Sequence, residues 1–267
     1  MQTKHLLVWM TCWHLSCRWK SGDSQEKTQD DANMLRNSHN FMKKKNLQIF
    51  VHIPKTGGTS FKRSCIFDNY KNSSIFKFTG LKNFALSSMQ DIDFVNGHVS
   101  YGVHLLTRRK CDYFTLLRDP LDQAISYYYF VRQCNYPDYK HPLLTEALNS
   151  SLIEFTERYC NMQTRAIAGL GASKLSKLSS YALVAIAKHN LFNRFKFYGF
   201  LDKFEDFCLK WSDKYSKPFK SVYESTKITR SRPKTSELDD SDLLMLKNIQ
   251  KLDIELYRSA RDNCIRS

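Results

Sequence analysis

The run Leu47-Gln48-Ile49-Phe50-Val51-His52-Ile53 constrains this chain most: it is β-rich, almost wholly apolar, stopped by Pro54 and followed within a few residues by Gly57-Gly58. An apolar run of strand length bounded by proline and glycine predicts a strand buried in a sheet, a tight turn, and a helix beginning near Thr59. Two further runs repeat the design. Asp112-Tyr113-Phe114-Thr115-Leu116-Leu117 ends at Arg118-Asp119-Pro120, and a helix is predicted over 121–133, with proline at its first turn, where a missing N–H costs nothing. Phe195-Lys196-Phe197-Tyr198-Gly199-Phe200 precedes a helical pattern over 203–215. Strands alternating with helices predict an α/β domain, a P-loop-like open parallel β-sheet flanked by helices. Helices are also predicted near 151–168 and 174–190. A last one over 240–263 places Leu243, Leu244, Leu246, Ile249, Leu252 and Leu256 on a core-facing stripe.

The 267 residues suffice for one such domain with a sizeable core. It is expected to fill 46–267, because the stretch before it has no apolar period. Residues 21–45 are polar and charged, ending in Lys43-Lys44-Lys45, and read as a stem or linker. Residues 1–20 hold a dozen mostly apolar residues interrupted by His14, short of the roughly 20 that span a bilayer. They read as a signal or weak anchor, or as a plain apolar N-terminus, and any membrane attachment is expected there alone.

A formal charge of +15 draws polyanions: nucleic acid, anionic lipid, or a sulfated or carboxylated polysaccharide. The bland alternative is a solvated basic face. Cysteines stand at 12, 17, 65, 111, 134, 160, 208 and 264, with no CxxC pair and no His/Cys cluster at zinc-ligand spacing, so no metal is expected. If the chain is secretory, Cys134–Cys160 is the pairing to consider. The sequons at Asn72-Ser73-Ser74 and Asn149-Ser150-Ser151 lean toward that compartment.

The turn after the first strand carries the chemistry. Backbone N–H groups of a glycine turn leading into a helix form an anion site. Lys55 adds charge, Thr56, Thr59 and Ser60 add hydroxyls, and Gly57 and Gly58 let the backbone approach closely. It is not a Walker A loop, which needs lysine after its second glycine; here Lys55 precedes both. Arg118 ends a predicted parallel strand, where ligands of open α/β sheets bind, and Ser126 follows two turns into the next helix. Guanidinium and hydroxyl together suit a second phosphate.

Pro54-Lys55-Thr56-Gly57-Gly58-Thr59-Ser60 resembles the 5′-phosphosulfate loop of Golgi carbohydrate sulfotransferases, and Arg118-Asp119-Pro120 with Ser126 resembles their 3′-phosphate site. Four more stretches fall in the family's order: Gly97-His98-Val99-Ser100-Tyr101, Asn161-Met162-Gln163-Thr164-Arg165, Tyr198 to Phe204, and Thr229-Arg230-Ser231-Arg232-Pro233. The resemblance covers about 49–260 and is nearest to the heparan sulfate 2-O- and 6-O-sulfotransferases. It implies 3′-phosphoadenosine 5′-phosphosulfate as donor and a sugar hydroxyl of an acidic polysaccharide, rather than nucleic acid, as acceptor. It further implies a Golgi-lumenal setting, membrane-anchored or secretory. His98 is then the candidate general base, since an alcohol must lose its proton to attack. Lys55 stabilises the leaving phosphate; Thr56, Gly57, Gly58, Thr59 and Ser60 hold the phosphosulfate; Arg118 and Ser126 hold the 3′-phosphate; Arg230, Ser231 and Arg232 close over the nucleotide. The 2-O enzymes carry a His-Gly-His pair where this chain has Asn96-Gly97-His98, which leaves the acceptor open between the two branches.

Three histidines compete with His98. His52 reads as strand packing, His104 as a neighbour able to bind substrate, and His141 as a turn or surface residue. Arg108-Arg109-Lys110 reads equally as the flank of an acceptor cleft or as a solvated turn. The rival functions are a P-loop kinase, disfavoured by the place of Lys55, a polyanion-binding module that kept the fold without catalysis, and a sulfotransferase for protein or small-molecule acceptors.

Overall fold

The computed structural model describes residues 45–172, 179–221 and 232–266. Its strands are β1 (Leu47–Val51), β2 (Ile75–Lys77), β3 (Phe94–Asn96), β4 (Cys111–Leu117), β5 (Asn135–Tyr136), β6 (Tyr139–Lys140) and β7 (Phe195–Phe200). Helix α1 (Gly58–Phe61) runs on into a π-type turn, Lys62–Ile66. Then come α2 (Leu81–Leu86), α3 (Pro120–Gln133), α4 (Leu144–Leu148), α5 (Leu152–Arg158), α6 (Met162–Ala168), α7 (Ser180–Asn193), α8 (Phe204–Tyr215), α9 (Asp240–Ile249) and α10 (Lys251–Arg266).

The main sheet has the order β2–β3–β1–β4–β7 and every pairing in it is parallel, while β5 and β6 form a small separate hairpin. This is the expected α/β architecture. Alternation along β1 explains why it carries apolar residues on both faces. Leu47, Ile49 and Val51 enter one core with residues of α6, α7 and α10, whereas Phe50 enters the other with Phe61, Phe114, Phe207 and Trp211. Gln48, the polar residue within the strand, is buried but satisfied: its amide donates to the Tyr70 hydroxyl at 2.6 Å and its carbonyl accepts from the Trp211 indole at 3.2 Å. Both faces of the sheet are thus covered, as an all-parallel sheet requires.

The topology also places the site. From β1 the chain crosses to β2 and returns to β3 on one side, then moves to β4 on the other. Strand order therefore reverses between β1 and β4, and the crevice beyond their carboxyl ends is where open α/β sheets bind ligands.

Three expectations are corrected. The helix predicted over 240–263 is two helices broken at Gln250, whose side-chain carbonyl accepts from the Asn161 N–H at 2.9 Å; Leu244 lies off the buried stripe and is exposed. The helix predicted over 151–168 is likewise two, parted where Asn161 adopts a left-handed φ of 54°. Cys134 and Cys160 are free thiols, as are the other cysteines among the described residues. The apolar segment at 1–20 and, apart from Lys45, the stem at 21–45 lie outside the described residues. Among the described residues no helix is long and apolar enough to cross a membrane.

Candidate active site

The loop between β1 and α1 is held in a demanding shape. Lys55 has φ 64° and Gly57 φ 90°, both left-handed. For a lysine that conformation costs on the order of 1–3 kcal/mol and survives only where the surroundings over-determine it. Two side chains from the β4–α3 corner do so: Arg118 Nη1 donates to the Lys55 carbonyl at 2.7 Å, and buried Gln123 donates to the Pro54 carbonyl at 3.0 Å. At Gly57 a Cβ would stand 2.6 Å from Leu201 Cδ1, and at Gly58 it would stand 2.1 Å from the His52 ring. The paired glycines therefore admit both the backbone turn and the His52 imidazole.

Each loop side chain has a definite place. Thr56 is fully buried and its hydroxyl donates to the Ile53 carbonyl at 2.9 Å, so the hydroxyl closes the turn. Thr59 and Ser60, in α1, are half-buried. Lys55 Nζ lies 4.4 Å over the Phe130 ring of α3.

Arg118 joins the second element to the first. Its own peptide is gripped by Gln163, whose side-chain carbonyl accepts from the Arg118 N–H at 3.1 Å and whose amide donates to the Arg118 carbonyl at 2.9 Å. Its Nε and Nη2 donate to Asp122 Oδ2 at 2.8 and 2.5 Å, while Arg232 Nη1 donates to Asp122 Oδ1 at 2.5 Å. One carboxylate therefore holds two guanidinium groups, and the trio keeps a net positive charge. Burial alone would raise the Asp122 pKa; the hydrogen bonds and charges of Arg232 and Arg118 overcome that and hold the carboxyl below its ordinary range. Ser126 is buried one turn further along α3, on the face that carries Asp122. A cavity of about 360 Å³ opens beside this trio, lined by Arg118, Asp119, Asp122, Leu201, Asp202 and Tyr257. Arg230 and Ser231 lie outside the described residues.

His98 is exposed, yet it is oriented. Its Nδ1 is 2.8 Å from the His52 carbonyl and its ring stacks on that of His52, centroids 4.5 Å apart. A carbonyl can only accept, so the hydrogen is on Nδ1 and the lone pair of the neutral ring is on Nε2. The flanking residues anchor the segment: Val99 is buried, the Tyr101 N–H donates to the Ala166 carbonyl at 2.9 Å, and its carbonyl accepts from Leu170 at 2.9 Å. Asn96 accepts from Lys62 Nζ at 2.8 Å. The structure thus brings the 54–60 loop, Arg118, Ser126, Arg232 and His98 to one end of the sheet.

Other candidates fall elsewhere. His104 is tied to the Tyr113 hydroxyl by its N–H at 2.9 Å and its Nδ1 at 3.1 Å, and burial lowers its pKa, aided by the Arg194 charge. Arg109 donates to the backbone carbonyls of Met89, Ile92 and Lys45, which makes it a staple of the chain. Sequence reading missed Asp122, Gln123 and Gln163 as site residues. Asp122 had a usable signal in its i, i+4 spacing from Arg118. Gln163 lay in a stretch that carries the family resemblance, but nothing local gave it a role, and Gln123 had no signal, because their partners are backbone atoms 45 and 69 residues away. Among the described residues no group of His, Cys, Asp and Glu could hold a metal ion.

Residues 20–170 match the family model described as Sulfotransferase domain. The chain is 24% identical over 263 residues to heparan sulfate 2-O-sulfotransferase 1 of Xenopus laevis, covering 82% of this chain and 73% of that protein. It is 23% identical over 261 residues to the protein of the same name from Homo sapiens, with coverage of 82% and 72%. The Gallus gallus relative of that name is 26% identical over 190 residues, 60% of this chain and 52% of that protein.

Proposed function

This chain belongs to the sulfotransferase domain family, and from that premise we propose that it moves the sulfuryl group of 3′-phosphoadenosine 5′-phosphosulfate onto a hydroxyl of a glycosaminoglycan, with heparan sulfate as the first acceptor to try. One observation carries the reading: Arg118 Nη1 donates to the Lys55 carbonyl at 2.7 Å, which joins two elements 63 positions apart and supports taking them together as one donor site.

Each residue then has a task. The loop 54–60 and Lys55 take the 5′-phosphosulfate, and Lys55 leaves Phe130 to neutralise charge growing on the leaving phosphate. Arg118, aligned by Asp122 and backed by Ser126, takes the 3′-phosphate; Arg232, with Arg230 and Ser231, closes over the nucleoside. The cavity beside Arg118 takes the nucleoside itself. His98 Nε2 accepts the proton of the acceptor hydroxyl as its oxygen forms the new bond to sulfur, and the bond from sulfur to the phosphate oxygen breaks, releasing adenosine 3′,5′-bisphosphate. The net charge of +15 suits a polyanionic acceptor. The names of the relatives support a polysaccharide acceptor; for the proposed secretory-pathway setting, the sequon asparagines Asn72 and Asn149 are both exposed. The domain organisation proposed is the one read from the sequence, with the sulfotransferase domain from residue 46.

Purified protein with labelled donor should transfer sulfate to desulfated heparan sulfate, and disaccharide analysis should find it at one hydroxyl position. Tight binding of the polymer with no transfer would instead favour a binding module that kept the fold. Transfer to protein or small-molecule acceptors alone would move the acceptor class. Endoglycosidase-sensitive sugar at Asn72 or Asn149 should mark a lumenal domain.

A further inference from the structure

His141 reads in the sequence as a turn or surface residue, and the structure places it in a loop, packed against the same element as Lys55. It follows the β5–β6 hairpin, half-buried, and its ring meets Tyr127 and Phe130 edge-on, centroids 6.1 and 6.0 Å away at 80° and 83°. Phe130 is the ring over which Lys55 Nζ lies at 4.4 Å, so lysine and imidazole border one aromatic side chain. Burial first, and then the neighbouring His98, lowers the His141 pKa from its ordinary value.

The two histidines hold opposite tautomers. His141 Nδ1 accepts the Leu143 N–H at 3.1 Å. A ring nitrogen that accepts carries no hydrogen, so the proton of neutral His141 is on Nε2, which donates. His98, facing the His52 carbonyl, has its proton on Nδ1 and its lone pair on Nε2. One ring is built to take a hydrogen, the other to give one.

Resting on the sulfotransfer reading above, we propose that His141 is an acceptor-binding residue: its Nε2–H donates to a non-reacting oxygen of the acceptor sugar and so selects which hydroxyl meets His98. A sugar ring offers several hydroxyls of similar reactivity, so a single base cannot choose among them. A second fixed contact sets the ring's rotation, and misplacement of about 1 Å costs roughly 100-fold in rate.

The test uses two amide replacements. In His141→Gln the side-chain amide reaches the place of Nε2 and can donate; in His141→Asn the carbonyl can still accept from Leu143, but no donor reaches that place. Binding of adenosine 3′,5′-bisphosphate, binding of desulfated heparan sulfate to the bisphosphate complex, and kcat and KM are measured for both. His141→Asn should bind the bisphosphate as the parent does, lose about tenfold in polymer affinity and raise KM by a similar factor. It should also spread product over more than one hydroxyl, and His141→Gln should recover most of this. Unchanged polymer affinity and product pattern in His141→Asn would overturn the proposal, as would equal losses in both variants accompanied by weaker bisphosphate binding, the mark of a packing role. A parent protein that binds the polymer without transferring sulfate defeats the sulfotransfer reading alone, and the binding arm still decides His141. One that neither binds nor modifies the polymer defeats both.

Discussion

The proposed donor side and the proposed acceptor side of this site are built in different ways. On the donor side Lys55, Pro54 and Arg118 have their backbone atoms clasped by Arg118, Gln123 and Gln163, and Arg118 is only 13% exposed. On the acceptor side His98 is exposed on a segment anchored from behind by Val99 and Tyr101, and His141 follows strands of two residues each. The contrast suits the two ligands. A nucleotide donor has one shape and would suit a cradle built in advance; a polysaccharide chain is long and hydrated and would suit a more open surface. Substitutions on the donor side should therefore disturb donor binding and stability together, and those on the acceptor side should disturb acceptor binding or catalysis while leaving donor binding and stability near the parent values.

His98→Ala is the largest and cleanest trial of that division. Removing the base should cost about 10²- to 10⁴-fold in kcat. Affinity for adenosine 3′,5′-bisphosphate and the thermal midpoint should stay near the parent values, because the ring is exposed. Full activity would remove the assigned base. A large loss of stability would mean that this side is as tightly built as the other.

Arg118→Ala should act on the opposite side. A lost charge-assisted hydrogen bond is worth about 1.5–3 kcal/mol, or roughly 10- to 100-fold in bisphosphate affinity. AMP, which lacks the 3′-phosphate, should also lose affinity, but less, because Arg118 additionally supports the Lys55 carbonyl. Calorimetric titration of both nucleotides separates these contributions. Equal losses would leave Arg118 as a loop staple with no 3′-phosphate role.

Gly58→Ala probes the seam between the sides. Its Cβ would fall 2.1 Å from the His52 ring, the ring that stacks on His98. Overpacking of this kind costs about 1–3 kcal/mol, seen as a lower urea midpoint. Donor affinity and kcat should fall together. A loss confined to either would show that the two sides are less coupled at His52 than the stacking implies.

What the sequence made legible follows the same line. The donor loop, Arg118 and Ser126 are contiguous motifs at the ends of strands long enough to leave a pattern, so they could be read in order. β2 and β3, three residues each, are too short to show a period, although β3 leads into His98. His141 read as surface because what places it is packing on Tyr127 and Phe130, not its neighbours in sequence. The break at Gln250 was hidden for a related reason. Asn161 Oδ1 accepts the N–H groups of Leu252 and Asp253 at 3.1 Å each, capping α10, while Asp253 accepts those of Gln163 and Thr164 at 3.1 and 2.7 Å, capping α6. Two helices cap each other across some 90 residues, and no local signal records that.

This reciprocal cap gives the smallest and most specific expectation for the donor side. Asp253 is buried, and burial raises its pKa to about 6 despite the hydrogen bonds from Thr164 and Gln163. Its folded pKa thus exceeds the ordinary carboxylate value near 3.9. The stability it contributes is full below that value and is lost as the pH rises through about 6. Asp253→Asn cannot titrate. Between pH 7 and pH 5 the parent should therefore gain about 1 kcal/mol over the variant in urea unfolding. Because Gln163 lies in the first turn of α6 and grips the Arg118 peptide, the variant should also bind adenosine 3′,5′-bisphosphate a few-fold more weakly, with kcat at saturating donor unchanged. A parent-minus-variant difference that stays flat with pH would remove the buried titration. A fall in kcat at saturating donor would mean that the Asn161–Asp253 cap supports the acceptor side as well, and the division drawn between the two sides would have to move.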